Sequence, residues 1–99
     1  MSAQRIEDAY RRMHPRLWHA LLAYGGDPDL ASDAESEAFA QAIRRGNELE
    51  DVEAWVWRSA FRIAAGLLAD RRREHQEQLA TAQARLRYGA IVDLSLIHI

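Results

Sequence analysis

Apolar side chains recur every three or four residues in three stretches of this chain, and that spacing is the period of an α-helix. The stretches are residues 4–24, 29–45 and 52–73. In the first, the apolar stripe consists of Ile6, Tyr10, Met13, Leu17, Leu21 and Tyr24. No strand pattern precedes residue 88. The sequence therefore predicts an all-α fold, a three- to four-helix bundle.

Turn-forming residues separate the three stretches. Gly25 and Gly26 end the first, and Asp27 with Pro28 is a typical N-cap and first position of the second helix. The second pattern stops at Gly46 and Asn47. The third helix is expected to begin after a short acidic loop, with Asp51 as its N-cap.

Helical periodicity also predicts which side chains face the core. In the second helix these are Ala31, Ala34, Ala38, Phe39, Ala42 and Ile43. In the third helix they are Val56, Ala60, Ile63 and Leu67, with Trp57, Phe61, Ala64 and Leu68 beside them. The other side of the third helix is expected to carry Trp55, Arg58, Ser59, Arg62 and Arg73.

Charge is distributed in blocks. Residues 27–53 contain nine acids and two arginines, whereas residues 54–73 contain five arginines and one aspartate. An acidic block followed by a basic helix suggests two partners, one basic and one polyanionic. There is no cysteine, no apolar run near 18 residues and no signal-peptide core. Disulfides and thiolate metal sites are thereby excluded, and a cytoplasmic protein without membrane contact is expected.

Sequence motifs for catalysis or metal binding are not found. His14 and His19 are five residues apart, so they do not share a helical face, and no acid completes a ligand set. The chain contains no P-loop, GxGxxG or GxSxG motif. We therefore predict no enzyme activity, no bound metal and no cofactor.

The third helix interleaves aromatic residues with arginines. Trp55 shares a face with Arg58 and Arg62, and such a face can stack unpaired bases while the guanidinium groups contact phosphates. Trp57 is expected in the core beside Phe61. The alternative interpretation is that both tryptophans are core residues and the arginines only solubilise the outer face.

Taken in order, these features resemble region 2 of the extracytoplasmic-function sigma factors, in the sigma-70 family. The similarity covers about residues 6–73. It rests on Tyr10–Leu17, the Gly26–Asp27 turn, Ala31–Phe39, and the helix from Ala54–Trp55 to Arg71–Arg73. Where the family usually has Glu and Gln in the second helix, this chain has Ser32 and Ser36. The family's Asn and Asp in the third helix correspond to Arg62 and Gly66.

The resemblance implies a bundle of the region 2 type that binds core RNA polymerase and melts the promoter −10 element. The outer face of the second helix would bind the β′ clamp helices through Asp33, Glu37, Gln41 and Arg44. The loop from Gly46 to Asp51 would capture a flipped base. The implied contacts to promoter DNA are Asn47, Trp55, Arg58, Arg62 and Arg73. An anti-sigma factor is a further possible partner.

The remaining residues are interpreted separately from this domain, which we place at residues 1–73. Residues 74–93 are expected to begin an interdomain linker, whose first part, 74–88, could instead extend the third helix. Residues 94–99 read LSLIHI. This is the translation of a transposase end used in sequencing libraries, and we interpret it as an adaptor-derived tail; a natural apolar tail is the alternative. Nothing after residue 73 resembles region 4, the domain that reads the −35 element.

Two other functions are compatible with the sequence. The charge blocks could serve a helical protein-interaction module without nucleic-acid binding. A helical DNA-binding domain unrelated to sigma factors would also fit, and it would be indifferent to core polymerase.

Overall fold

A computed structural model describes the backbone of residues 2–97 and the side chains of residues 3–90. It contains three α-helices: α1 (Ser2–Gly25), α2 (Pro28–Arg45) and α3 (Val52–Ile97). A 3₁₀ turn at Gly46–Glu48 connects α2 to α3. No residue from 2 to 97 is in a strand, so the all-α prediction is confirmed.

Side-chain caps set the beginnings of α2 and α3, as the sequence predicts. The Asp27 carboxylate accepts a hydrogen bond from the backbone N–H of Asp29 at 2.8 Å. The Asp51 carboxylate accepts one from the backbone N–H of Ala54 at 3.1 Å. Each bond satisfies an N–H group that has no partner within its helix, and such a cap stabilises a helix by about 1 kcal/mol.

The chain divides into two compact units, Met1–Leu68 and Ala69–Ile99. In the first unit, α1, α2 and the beginning of α3 enclose a core in which the alanines of α2 allow close helix approach. Its buried apolar residues are Ile6, Ala9, Met13, Leu17, Leu21, Leu30, Ala31, Ala34, Ala38, Phe39, Ala42, Leu49, Val52, Val56, Ala60 and Ala64.

Polar side chains also link the helices of the first unit. Trp18 donates its indole N–H to the Ser32 hydroxyl at 3.1 Å, which joins α1 to α2. Arg12 pairs with Glu53 at 2.6 Å and joins α1 to α3. Ser32, one of the departures from the family pattern, therefore has a structural role in this chain.

The second unit is a helical continuation of α3. Residues 74–88 are helical and their side chains are exposed. Of the two predicted alternatives, a linker or an extension of the third helix, the structure shows the extension. The backbone of residues 94–97 is also helical. The side chains of the proposed tail, 94–99, and the whole of residues 98 and 99 lie outside the described residues.

Three burial predictions at the edges of the helical stripes are wrong. Trp57, expected in the core, is 37% exposed, and Ile43, also expected inside, is 61% exposed. Ser59, expected on the outer face, is 1% exposed. Successive residues are about 100° apart around a helix. Trp57 and Ile43 therefore each lie about 100° from the buried residue before them, at one edge of the stripe. Ser59 lies about 60° from Val56 on the opposite side, next to buried Val52.

Candidate nucleic-acid interface

Trp55 lies at the edge of the packed face of α3. It is partly buried and packs against the hydrophobic core, so the expectation of a fully outward indole is only half correct. Trp55 and Trp57 flank Val56 by about 100° on either side. The Asp51 cap fixes the start of α3, and the backbone N–H of Trp55 donates to the Asp51 carbonyl at 3.1 Å. The indole is therefore held on a rigid first turn.

Arg45, at the end of α2, lies over the Trp55 ring. Its guanidinium carbon is 5.5 Å from the ring centroid, within the range of a cation–π contact. The sequence analysis assigned Arg45 no role. No sequence signal pairs it with Trp55, because the contact depends on how the connection brings the end of α2 back to α3.

Arg58 and Arg62 are exposed on α3, as predicted. Arg58 and Trp55 line a cleft of about 390 Å³ together with Arg45 and the acidic connection Glu48–Asp51. Arg62 lies one turn further along and its guanidinium reaches the Ser59 hydroxyl at 3.5 Å. The structure thus places an aromatic ring and two guanidinium groups around one cleft, with a third guanidinium on the next turn.

The other two predicted DNA contacts do not line this cleft. Asn47 is exposed in the 3₁₀ turn but is not among the lining residues. Arg73 belongs to the second unit, where its guanidinium pairs with the Asp70 carboxylate. Their assignment as DNA contacts therefore rests only on the resemblance to the sigma factors.

The predicted polymerase-binding residues form a largely exposed row on α2, in which only Gln41 is half-buried. Glu37 accepts hydrogen bonds from Gln41 and Arg44, each at 3.1 Å. The hydrogen bond from Gln41, followed by that from Arg44, holds the pKa of Glu37 below its ordinary value. Asp33 lies one turn before Glu37 and is exposed. The face therefore presents two carboxylates, one of them already engaged by neighbours on the same helix.

A buried carboxylate was missed by the sequence analysis. Glu35 is only 4% exposed, and its Oε1 contacts the Nδ1 of His14 on α1. Its Oε2 is buried without a hydrogen-bond partner. Tyr10 stacks on the His14 ring with centroids 4.9 Å apart. The signal was present, since Glu35 is four residues from buried Ala31 and within the α2 stripe.

Burial raises the pKa of Glu35 above 4.5, while the hydrogen bond and charge of His14 oppose that rise. The folded chain therefore holds the proton of Glu35 more tightly than the unfolded chain does. The stability that results is present below pH 4.5 and is lost as the pH rises through the raised pKa.

Glu35→Gln removes this titration, so wild type should lose stability relative to that variant as the pH rises above 4.5 and through the raised pKa of Glu35. Urea unfolding at several pH values measures the difference. Glu37→Gln is the matched control: the pKa of Glu37 is lowered, so wild type should lose stability relative to that variant only as the pH falls below about 4.5. A difference for Glu35→Gln that is flat, or that changes in the Glu37 direction, would contradict the placement of Glu35.

No group of three or more potential metal-ligating side chains is found within the described residues. The helices, as far as they are described, include none that is long and apolar enough to cross a membrane. Comparison with family models, with curated proteins and with solved structures gives no match to this chain.

Proposed function

We propose that the chain is the promoter-melting region of an extracytoplasmic-function sigma factor. It binds the β′ clamp helices of core RNA polymerase in the cytoplasm through the exposed row on α2. It binds the unwound −10 strand through the beginning of α3. The observation that supports this most is the joining of Trp55 with Arg45 and Arg58 around one cleft.

The energetics of such a site are adequate for local melting. Stacking of a base on an aromatic side chain contributes about 1–3 kcal/mol. Extracting a base from a duplex costs a few kcal/mol. Because these magnitudes are comparable, one stacked base together with phosphate contacts from Arg58 and Arg62 can stabilise an open strand.

The proposal predicts the salt dependence of DNA binding. The logarithm of the affinity falls linearly as the logarithm of the salt concentration rises. Each lost phosphate contact reduces the steepness of that fall by about 0.7 for a single strand. Arg58→Ala and Arg62→Ala should each show that decrease with a −10 single-stranded oligonucleotide, measured by fluorescence anisotropy at several salt concentrations.

Arg11→Ala is a suitable control for that experiment. It removes the same charge from α1, where Arg11 is exposed and paired with Glu7 at 2.6 Å. Its slope should equal that of wild type. Equal slopes for all three variants would remove Arg58 and Arg62 from the interface.

A protein-interaction module is the second candidate, and one observation favours it. A largely apolar cleft between α1 and α2 is lined by Ala3, Ile6, Glu7, Tyr10, Phe39 and Ile43. Tyr10 is 40% exposed at its edge, and exposed apolar patches often mark protein contacts. Self-association of the chain, without binding of the β′ clamp helices or of single-stranded DNA, would favour this candidate.

A further inference from the structure

Arg45 lines the cleft at Trp55, but the proposed function assigns it no contact with the nucleic acid. It is the last residue of α2, where the partial negative charge of the helix end favours a cation. The structure shows no ion pair of Arg45 with any described carboxylate. Its described contact is instead with the Trp55 ring, 5.5 Å from the guanidinium carbon.

A guanidinium above an aromatic ring can still bind an anion. Its five N–H donors form a planar fork, and Arg45 has no ion pair with a described carboxylate, so donors remain available to a phosphate. Lysine lacks this geometry, since its ammonium is a compact point charge. The same arginine can therefore orient the indole and contact the backbone of a strand whose base stacks on that indole.

The charges around the cleft favour a base inside the cleft and a phosphate at the guanidinium groups of Arg45 and Arg58. Glu48, Glu50 and Asp51 line the cleft together with Arg45 and Arg58. Three carboxylates disfavour a phosphate inside the cleft, whereas an uncharged base is tolerated. A phosphate is then expected at the two guanidinium groups, which are exposed.

We propose that Arg45 is a further nucleic-acid contact: it positions Trp55 in the free chain and binds a backbone phosphate of the single strand that stacks there. This proposal rests on the proposed function. It adds a residue from α2 to an interface otherwise built on α3 and its preceding loop.

The test uses the full chain and the −10 single-stranded oligonucleotide. Arg45→Gln should weaken binding by up to about fivefold, because it removes one exposed charge pair with a phosphate. It should also lower the salt slope by about 0.7. Arg45→Lys should keep the slope near that of wild type, because the charge remains. Arg11→Gln is the matched control: this exposed arginine of α1 pairs with Glu7 and lies outside both proposed binding surfaces, so its loss should leave both quantities unchanged.

A second readout reports the positioning role without DNA. The indole N–H resonance of Trp55, assigned with Trp55→Phe, should shift in Arg45→Gln and stay in place in Arg11→Gln. A wild-type chain that binds no single strand overturns the proposed function and this proposal together. Binding by wild type with an unchanged slope in Arg45→Gln, or an unmoved Trp55 resonance, overturns the role of Arg45 alone.

Discussion

Leu17→Ala is expected to lower the free energy of unfolding by about 2–5 kcal/mol, the range for removing a large aliphatic side chain from a core. Leu17 is completely buried on α1. A chain of this size has a total stability of only about 5–15 kcal/mol. The substitution therefore removes a large share of the stability that holds the first unit together. Urea unfolding followed by circular dichroism at 222 nm measures the loss.

Ile43→Ala is the matched control for this substitution. It removes the same number of carbon atoms from a helix, but Ile43 is 61% exposed. Its expected cost is within about 0.5 kcal/mol, as for most surface substitutions. A cost similar to that of Leu17→Ala would mean that Ile43 belongs to the core, as periodicity alone predicts.

Asp33→Arg combined with Glu37→Arg is expected to weaken binding to the β′ clamp helices at least about tenfold. Like charges brought together across an interface cost several kcal/mol, and each reversal adds two positive charges to the α2 face. At position 37 the new arginine also faces Arg44, which now donates to Glu37 at 3.1 Å. Titration of an isolated clamp-helix fragment with the full chain measures the affinity.

A double reversal in the second unit separates this effect from net charge. Glu74→Arg with Glu77→Arg changes the charge of the chain by the same amount, and both side chains are exposed. Clamp affinity should stay near that of wild type for this variant, and circular dichroism should show both variants folded. Equal affinities for the α2 double variant and wild type would contradict the polymerase-binding assignment.

The two functional surfaces differ in how much of each the sequence revealed. Asp33, Glu37, Gln41 and Arg44 share one helix, so helical spacing alone places them on one face. The cleft at Trp55 combines side chains from α2, the connection and α3. Spacing along α3 found Trp55, Arg58 and Arg62, but it could not find Arg45, which comes from another helix.

The burial of polar residues was also difficult to predict from the sequence. Helical spacing put Ser59 on the outer side of α3, and Glu35 lay within the α2 stripe without being identified as buried. His14 on α1 partners Glu35 across the helix contact, whereas the Ser59 hydroxyl is reached by Arg62 of α3 itself. Trp55 is intermediate, since an edge position is covered or exposed according to what packs beside it.

The amino-acid sequence by itself determined the helical class and the limits of α2, because the 3.6-residue period and the Asp27 cap are local properties. It likewise determined the start of α3 through Asp51. Tertiary structure alone decided that Trp57 and Ile43 are exposed, that His14 contacts Glu35, and that Arg45 covers Trp55. The physical reason is that the edges of a helical stripe, and contacts between helices, depend on how the helices cross and approach one another.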